Sequence, residues 1–139
     1  MVYEKAMMEE LYVPGTALAP EIKCDPATWE ISIKGTSAPE DVRTLYYPVI
    51  EWTSRMVATI LANPGLTGQN GVTFILDLNY FNSSSAKFLH DIFSELVKLK
   101  KAGSSLEVRW FYDREDVDMY EAGQDMALLT EMDFIYLEK

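Results

Sequence analysis

The sequence predicts an α/β fold with element order β-β-α-β-α-β-α-β: a mixed, mostly parallel sheet with helices packed on it. Three observations predict it. Two short segments near the start alternate apolar and polar residues, as half-buried strands do. Later strand-like segments are separated by single stretches of three-and-four apolar spacing, which implies helical crossovers between parallel strands. The run Val72–Leu78 is almost continuously apolar, as expected of a central strand buried on both faces. A chain of 139 residues, 48% hydrophobic and 24% charged, makes one domain over residues 1–139. It can bury a core that needs neither metal nor disulfide.

The elements follow in order. Residues 1–13 are weakly amphipathic, and their pattern leaves open whether they form a separate N-terminal arm. In Glu21–Asp25, Ile22 and Cys24 alternate with charged neighbours, and in Trp29–Lys34, Trp29, Ile31 and Ile33 do the same. Between them, Asp25-Pro26-Ala27-Thr28 suits a type I turn, so a hairpin is expected. Ser37-Ala38-Pro39-Glu40 reads as a capping box opening a helix. That helix carries Val42, Leu45, Tyr46, Val49, Trp52, Met56 and Ile60 on one face, with a kink expected at Pro48 and an end at Asn63-Pro64-Gly65. After the central strand, Asn82-Ser83-Ser84-Ser85 leads into a second helix with a stripe of Phe88, Leu89, Ile92, Phe93, Leu96 and Leu99. Leu106, Val108, Trp110 and Tyr112 then mark a strand, Val117–Leu129 a third helix and Phe134–Leu137 a last strand.

Charge excludes some functions. Twelve basic and 22 acidic residues leave a net charge of −10, and residues 103–139 hold 3 of the bases but 10 of the acids. Phosphate backbones and anionic membranes repel such a chain, so neither nucleic acid nor membrane is the expected partner. Cys24 has no partner for a disulfide and no CxxC motif around it, which suits a reducing, cytoplasmic compartment. The opening residues place Glu9 and Glu10 where an export signal would be apolar.

In parallel α/β sheets, sites form at loops leaving the C-terminal strand ends. Two such loops are unusually polar: Asn79–Ser85 and Asp113–Asp118. Four capping-type residues in a row, Asn82 to Ser85, have two readings. One Ser or Asn satisfies the free N–H groups of a helix start. The same N–H groups and partial positive charge also tolerate a phosphate, and Lys87 stands one turn after Ser83. A serine nucleophile finds little support. His90, the only histidine, lies two helical turns beyond Ser83, and no Gly-x-Ser-x-Gly elbow is present. The acids Asp113, Asp116 and Asp118 favour the N-terminus of the following helix. They are also weak candidates for a Mg²⁺ or Ca²⁺ site, although no glycine stands where an EF-hand loop needs one. Asp77, inside the central strand, reads as a hydrogen-bonded structural carboxylate.

Several segments together resemble the SiaC family of bacterial regulatory phosphoproteins. They are Pro20-Glu21-Ile22, Tyr47-Pro48-Val49-Ile50-Glu51-Trp52, the run from Tyr80 and Phe81 through Asn82, Ser83, Ser84 and Ser85 to Lys87, and Val108-Arg109-Trp110-Phe111-Tyr112-Asp113 with its following acids and Met119. The resemblance runs from about residue 11 to the C-terminus. It implies a fold like that of STAS domains, the anti-sigma factor antagonist fold, and a role in partner switching. A serine/threonine protein kinase would phosphorylate the protein and a PP2C-like phosphatase would reverse this. The unmodified form would bind and stimulate a diguanylate cyclase, raising cyclic diguanylate and promoting biofilm formation. The phosphoacceptor carries over to Ser83, where the family commonly has Thr, with Ser84 and Ser85 as rivals. Tyr80, Phe81, Asn82, Ser83 and Lys87 would form the partner-binding surface. On this reading the protein is no enzyme and needs no cofactor. The alternatives are an antagonist of an anti-sigma factor kinase and a metal-dependent phosphotransfer enzyme using Asp113, Asp116 and Asp118.

Overall fold

The computed structural model describes residues 8–139, in which six strands form one sheet in the spatial order β1-β2-β3-β4-β5-β6. β1 (Leu11–Val13), β2 (Glu21–Asp25) and β3 (Glu30–Ser37) are an antiparallel meander. β4 (Val72–Phe81), β5 (Leu106–Tyr112) and β6 (Phe134–Glu138) continue it in parallel. The crossovers are α1 (Val42–Ala62), α2 (Ser83–Lys101) and α3 (Val117–Thr130), with a single 3₁₀ turn at Pro64–Thr67. The weakly amphipathic start thus contains an edge strand, and Met8 is buried in the core. A separate arm could begin only before these residues, and residues 1–7 lie outside the described part.

Three sequence expectations need correction. The first concerns β4. Its residues alternate in burial: Val72, Phe74, Leu76 and Leu78 are buried, while Thr73, Ile75 and Asp77 are only half-buried. Spatial order equals chain order, so every parallel crossover steps the same way and carries its helix to the same face. Buried residues then line up across the strands: Cys24 beside Ile31, Ile31 beside Phe74, Phe74 beside Val108, and Val108 beside Phe134. The other face carries Ser32, Ile75, Arg109 and Ile135 in one row. Apolar Ile75 disguised a one-sided strand as a two-sided one.

The second correction is the capping box. Ser37 is the last residue of β3, fully buried, and α1 begins only at Val42. Asp41 is the cap, its carboxylate accepting from the Thr44 N–H at 3.1 Å and the Thr44 hydroxyl at 2.7 Å. A buried hydroxyl at position 37 is worth more to the core than to a helix end, as the site below makes plain. α1 then runs unbroken through Pro48 to Ala62. The third correction is the hairpin, whose loop is one residue longer than Asp25–Thr28 implies. The Asp25 carboxylate accepts from the Ala27 N–H at 2.8 Å, and Trp29 closes the loop at φ 56° before pairing resumes at Glu30.

α3 approaches the sheet closely at Gly123. A Cβ there would lie 2.6 Å from the Trp110 indole nitrogen, and that indole is buried and donates to the Met119 carbonyl at 3.0 Å. The ring cannot step aside without giving up this bond. Burial also pushes the Cys24 thiol up to about 12, so it stays protonated at neutral pH.

Two outcomes follow. Gly123→Ala should lose stability by about 1–3 kcal/mol, overpacking outweighing the roughly 1 kcal/mol of gained helix propensity. A urea midpoint at or above that of the parent would contradict this. Cys24 should react with a thiol reagent at pH 8 only as fast as the protein unfolds, so the labelling rate should rise with denaturant.

Candidate functional site

The C-terminal end of β4 carries a register shift. Gly35 of β3 pairs with Leu78, but the next residue, Thr36, pairs with Tyr80, and Asn79 is passed over. Regular alternation would send Tyr80 inward with Leu78. The shift instead leaves Tyr80 55% exposed and turns Phe81 against the Trp110 ring, with centroids 6.1 Å apart. Such irregularities re-aim side chains where a strand hands over to a loop.

α2 starts at once. Asn82 is its cap, the side-chain oxygen accepting from the Ser85 N–H at 2.8 Å, and the Asn82 N–H donates to the Ser37 carbonyl at 3.0 Å. The three serines that follow have different fates. Ser85 is fully buried; its hydroxyl donates to the Ser37 carbonyl at 2.9 Å and accepts from the Ser37 hydroxyl at 2.8 Å. The Ser37 hydroxyl has one proton, spent on Ser85, so the Tyr46 hydroxyl 2.6 Å away must donate to it. The chain of donation runs Tyr46, Ser37, Ser85, and back to the Ser37 carbonyl. Burial holds the Tyr46 phenol above its ordinary pKa, so it keeps the proton it donates. Ser83 and Ser84, by contrast, are exposed.

These two hydroxyls line a groove of about 430 Å³ between the starts of α1 and α2. Val42, Arg43 and Tyr47 form the α1 side, and Lys87 and Phe88 complete the α2 side. Phe88 ties the helices together, stacked on Tyr46 at 5.9 Å and meeting the Tyr47 edge at 5.6 Å. Lys87 does not turn back toward Ser83. It pairs with Asp91 at 2.7 Å and lies 4.6 Å from the Phe88 ring centre.

Two helix N-termini and two cations therefore face one hollow on a chain of net charge −10. Neither helix has an acid in its first turn. Reading the sequence for a helix start at Ser37 missed Arg43, Tyr47 and the role of Ser37. A signal was present: a cation in the first turn opposes the helix dipole, and Arg43 stands there.

The acidic loop lies at the same end of the sheet but lines a different hollow, of about 620 Å³, with Asp113, Arg114, Glu115 and Asp116. Asp116 is committed to capping α3, accepting from the Met119 N–H at 3.0 Å. Among the described residues, no three His, Cys, Asp or Glu side chains come together to hold a metal ion. Asp118 lies in the first turn of α3, and the Asp113 carbonyl accepts the Asp116 N–H at 2.9 Å. His90 lies half-buried on α2, its carbonyl accepting from Ser94 at 3.0 Å. The Asp77 carboxylate lies 2.7 Å from the Lys139 ammonium. No helix among the described residues is long and apolar enough to cross a membrane.

Comparison with known proteins agrees with this architecture. The family model described as SiaC family regulatory phosphoprotein matches residues 13–139. An uncharacterized protein of Pseudomonas aeruginosa strain UCBPP-PA14 is 32% identical over 118 residues, covering 85% of this chain and 87% of the relative. The crystal structure of apo-SiaC from Pseudomonas aeruginosa superimposes with a TM-score of 0.80 at 31% identity, covering 94% of this chain and 99% of the other. The SiaC chain crystallised as the activator in complex with the diguanylate cyclase SiaD, also from Pseudomonas aeruginosa, gives a TM-score of 0.81 at 29% identity, covering 93% and 99%.

The three serines should separate in stability measurements. Ser85→Ala breaks a buried hydrogen-bond chain and should cost about 1–3 kcal/mol, whereas Ser83→Ala and Ser84→Ala should stay within about 0.5 kcal/mol of the parent. Equal urea midpoints for all three would refute the buried role of Ser85.

Proposed function

The chain belongs to the SiaC family of regulatory phosphoproteins, and from that premise we propose that it is a phosphorylation-controlled activator of a diguanylate cyclase. Its unmodified form binds the cyclase and raises cyclic diguanylate, with biofilm formation as the cellular output. A dedicated serine/threonine kinase adds phosphate to Ser83, and a PP2C-like phosphatase removes it. The protein itself catalyses nothing and acts in the cytoplasm.

One observation carries this reading: an exposed serine at the first position of α2 lines a groove between two helix starts, beside two cations. A phosphate there meets unpaired N–H groups and a partial positive charge, so the fold accepts it. The outward surface nevertheless changes by nearly two negative charges. A partner seated over Tyr80, Ser83 and Lys87 then meets charge it was not built for, and like charges brought together at an interface cost several kcal/mol. That is enough to dissolve a micromolar complex.

Exposure narrows the acceptor. Ser83 and Ser84 lie open, while a kinase could reach the Ser85 hydroxyl only by unwinding the first turn of α2. Ser83 is the residue proposed, with Ser84 as its rival. A metal-dependent phosphotransfer enzyme has less support, because Asp116 is spent on a cap and the neighbouring acids do not converge.

Calorimetry with the cognate cyclase tests the switch. Ser83→Ala should bind and activate as the parent does, and Ser83→Asp should weaken binding by at least about tenfold, or about 1.4 kcal/mol. A Ser83→Asp protein that activates normally would remove this reading. Phosphopeptide mapping of the tryptic fragment Met56–Lys87 from cells should place the phosphate on Ser83.

A further inference from the structure

We propose that Arg43 is the counter-ion for phosphate on Ser83, so that modification clasps α1 to α2 and closes the groove between them. The inference rests on Ser83 as acceptor and adds what the phosphate does once it is there. Like-charge repulsion needs nothing from the protein beyond an exposed serine. A clasp needs a free cation from another element, within the same hollow, and a hollow worth closing. All three are present.

The free cation is Arg43. It lines the groove from the α1 side, opposite Ser83 and Ser84, and is exposed. Among the described residues it has no ion-pair partner. Asp41 feels Arg43 as a neighbouring charge, but its carboxylate is already bonded to the Thr44 hydroxyl and N–H, which hold its pKa below the ordinary value. Lys87, the other cation in the groove, is engaged by Asp91 and by the face of Phe88. Lys87 sits on the same helix as Ser83, so its pairing with phosphate would close nothing. Of the two cations, Arg43 alone lies on the helix opposite Ser83.

Placement supports the assignment. An arginine in the first turn of a helix opposes the helix dipole, at a cost to stability unless something else uses it. The guanidinium fork matches a phosphate with two parallel hydrogen bonds, which an ammonium cannot do. Two helix starts add their own positive ends to the same space. The floor beneath is rigid, because Phe88 is stacked on Tyr46 and meets Tyr47, and Tyr46 is tied to Ser37 and Ser85. A bridge across such a frame would cover the exposed Tyr47 ring without moving either helix. The partner would lose an apolar anchor as well as meeting charge.

The experiment uses the full-length chain with phosphoserine installed at position 83 during translation, which needs no kinase. Phosphorus NMR reads the second ionisation of the phosphate, and thermal unfolding reads the clasp. The charged groups around the phosphate are Arg43 and Asp41 on the α1 side and Lys87 and Asp91 on α2. In the parent, a bound guanidinium should lower the phosphate pKa by about half a unit to one unit relative to the Arg43→Gln background. Phosphoserine should raise the melting temperature of the parent by a few degrees, and Arg43→Gln should abolish that rise. Arg43→Lys should retain part of both effects, and Lys101→Gln, on the far end of α2, should change neither. Equal phosphate pKa values in the parent and Arg43→Gln would overturn the clasp. Failure here is distinguishable from failure of the switch. If phosphoserine abolishes cyclase binding but Arg43→Gln leaves its titration untouched, the switch stands and the clasp falls. If the titration shifts but the cyclase still binds, the clasp stands and the switch falls.

Discussion

A buried chain of three hydroxyls holds the working end of this protein in place. Tyr46 donates to Ser37, Ser37 to Ser85, and Ser85 to the Ser37 carbonyl, which also accepts the Asn82 N–H. These residues come from α1, the end of β3 and the start of α2, so one small network fixes three elements against one another. Buried polar groups are tolerated only when every one is partnered, and here each donor has an acceptor. The register shift at Gly35 and Thr36 belongs to the same arrangement, since it lies where β3 and β4 run up to Ser37 and Asn82. The groove, its two cations and the exposure of Ser83 all depend on this anchoring.

The anchoring also suits the proposed phosphorylation, which would change surface charge without changing shape. Asn82 caps α2 and the Ser85 hydroxyl is buried against Ser37, while the Ser83 and Ser84 side chains stay exposed. Four capping-type residues in a row are thus divided between holding the helix and facing solvent. Two helices beginning side by side at the ends of adjacent parallel strands bring their positive ends together, a consequence of topology rather than of any one residue. An overall acidic chain can present a locally cationic hollow by this means.

The acidic last quarter has a different logic. Four of its ten carboxylates, Asp113, Glu115, Asp116 and Asp118, stand at or just before the start of α3, where Asp116 caps the helix and Asp118 lies in the first turn. Acids there complement the helix dipole. The pairing of α3 with the sheet rests instead on a close approach, Gly123 over the Trp110 indole.

Much of the fold was legible in the residues themselves. Alternation in β2 and β5, the apolar stripe of α2 and the punctuation at Asn63-Pro64-Gly65 are local patterns, and hydrophobic burial enforces them wherever the chain goes. The serine-rich turn and its position after a central strand were equally plain. Other features were decided only when distant segments met. Leu11–Val13 is too short to announce itself and becomes a strand because β2 offers a free edge. Ser37 carries a capping signature, yet the hydroxyl is claimed by Tyr46 and by Ser85, 48 residues away, and the helix starts later with Asp41. One face of β4 is left uncovered because spatial order follows chain order, which no single strand records. The sorting of three adjacent serines into one buried and two exposed, and the placing of Arg43 across from them, likewise depend on how α1 and α2 pack. Local sequence determines what each segment prefers to be. Only the packed structure decides which hydroxyl meets a partner and which meets water, because that choice depends on contacts between residues far apart in the chain.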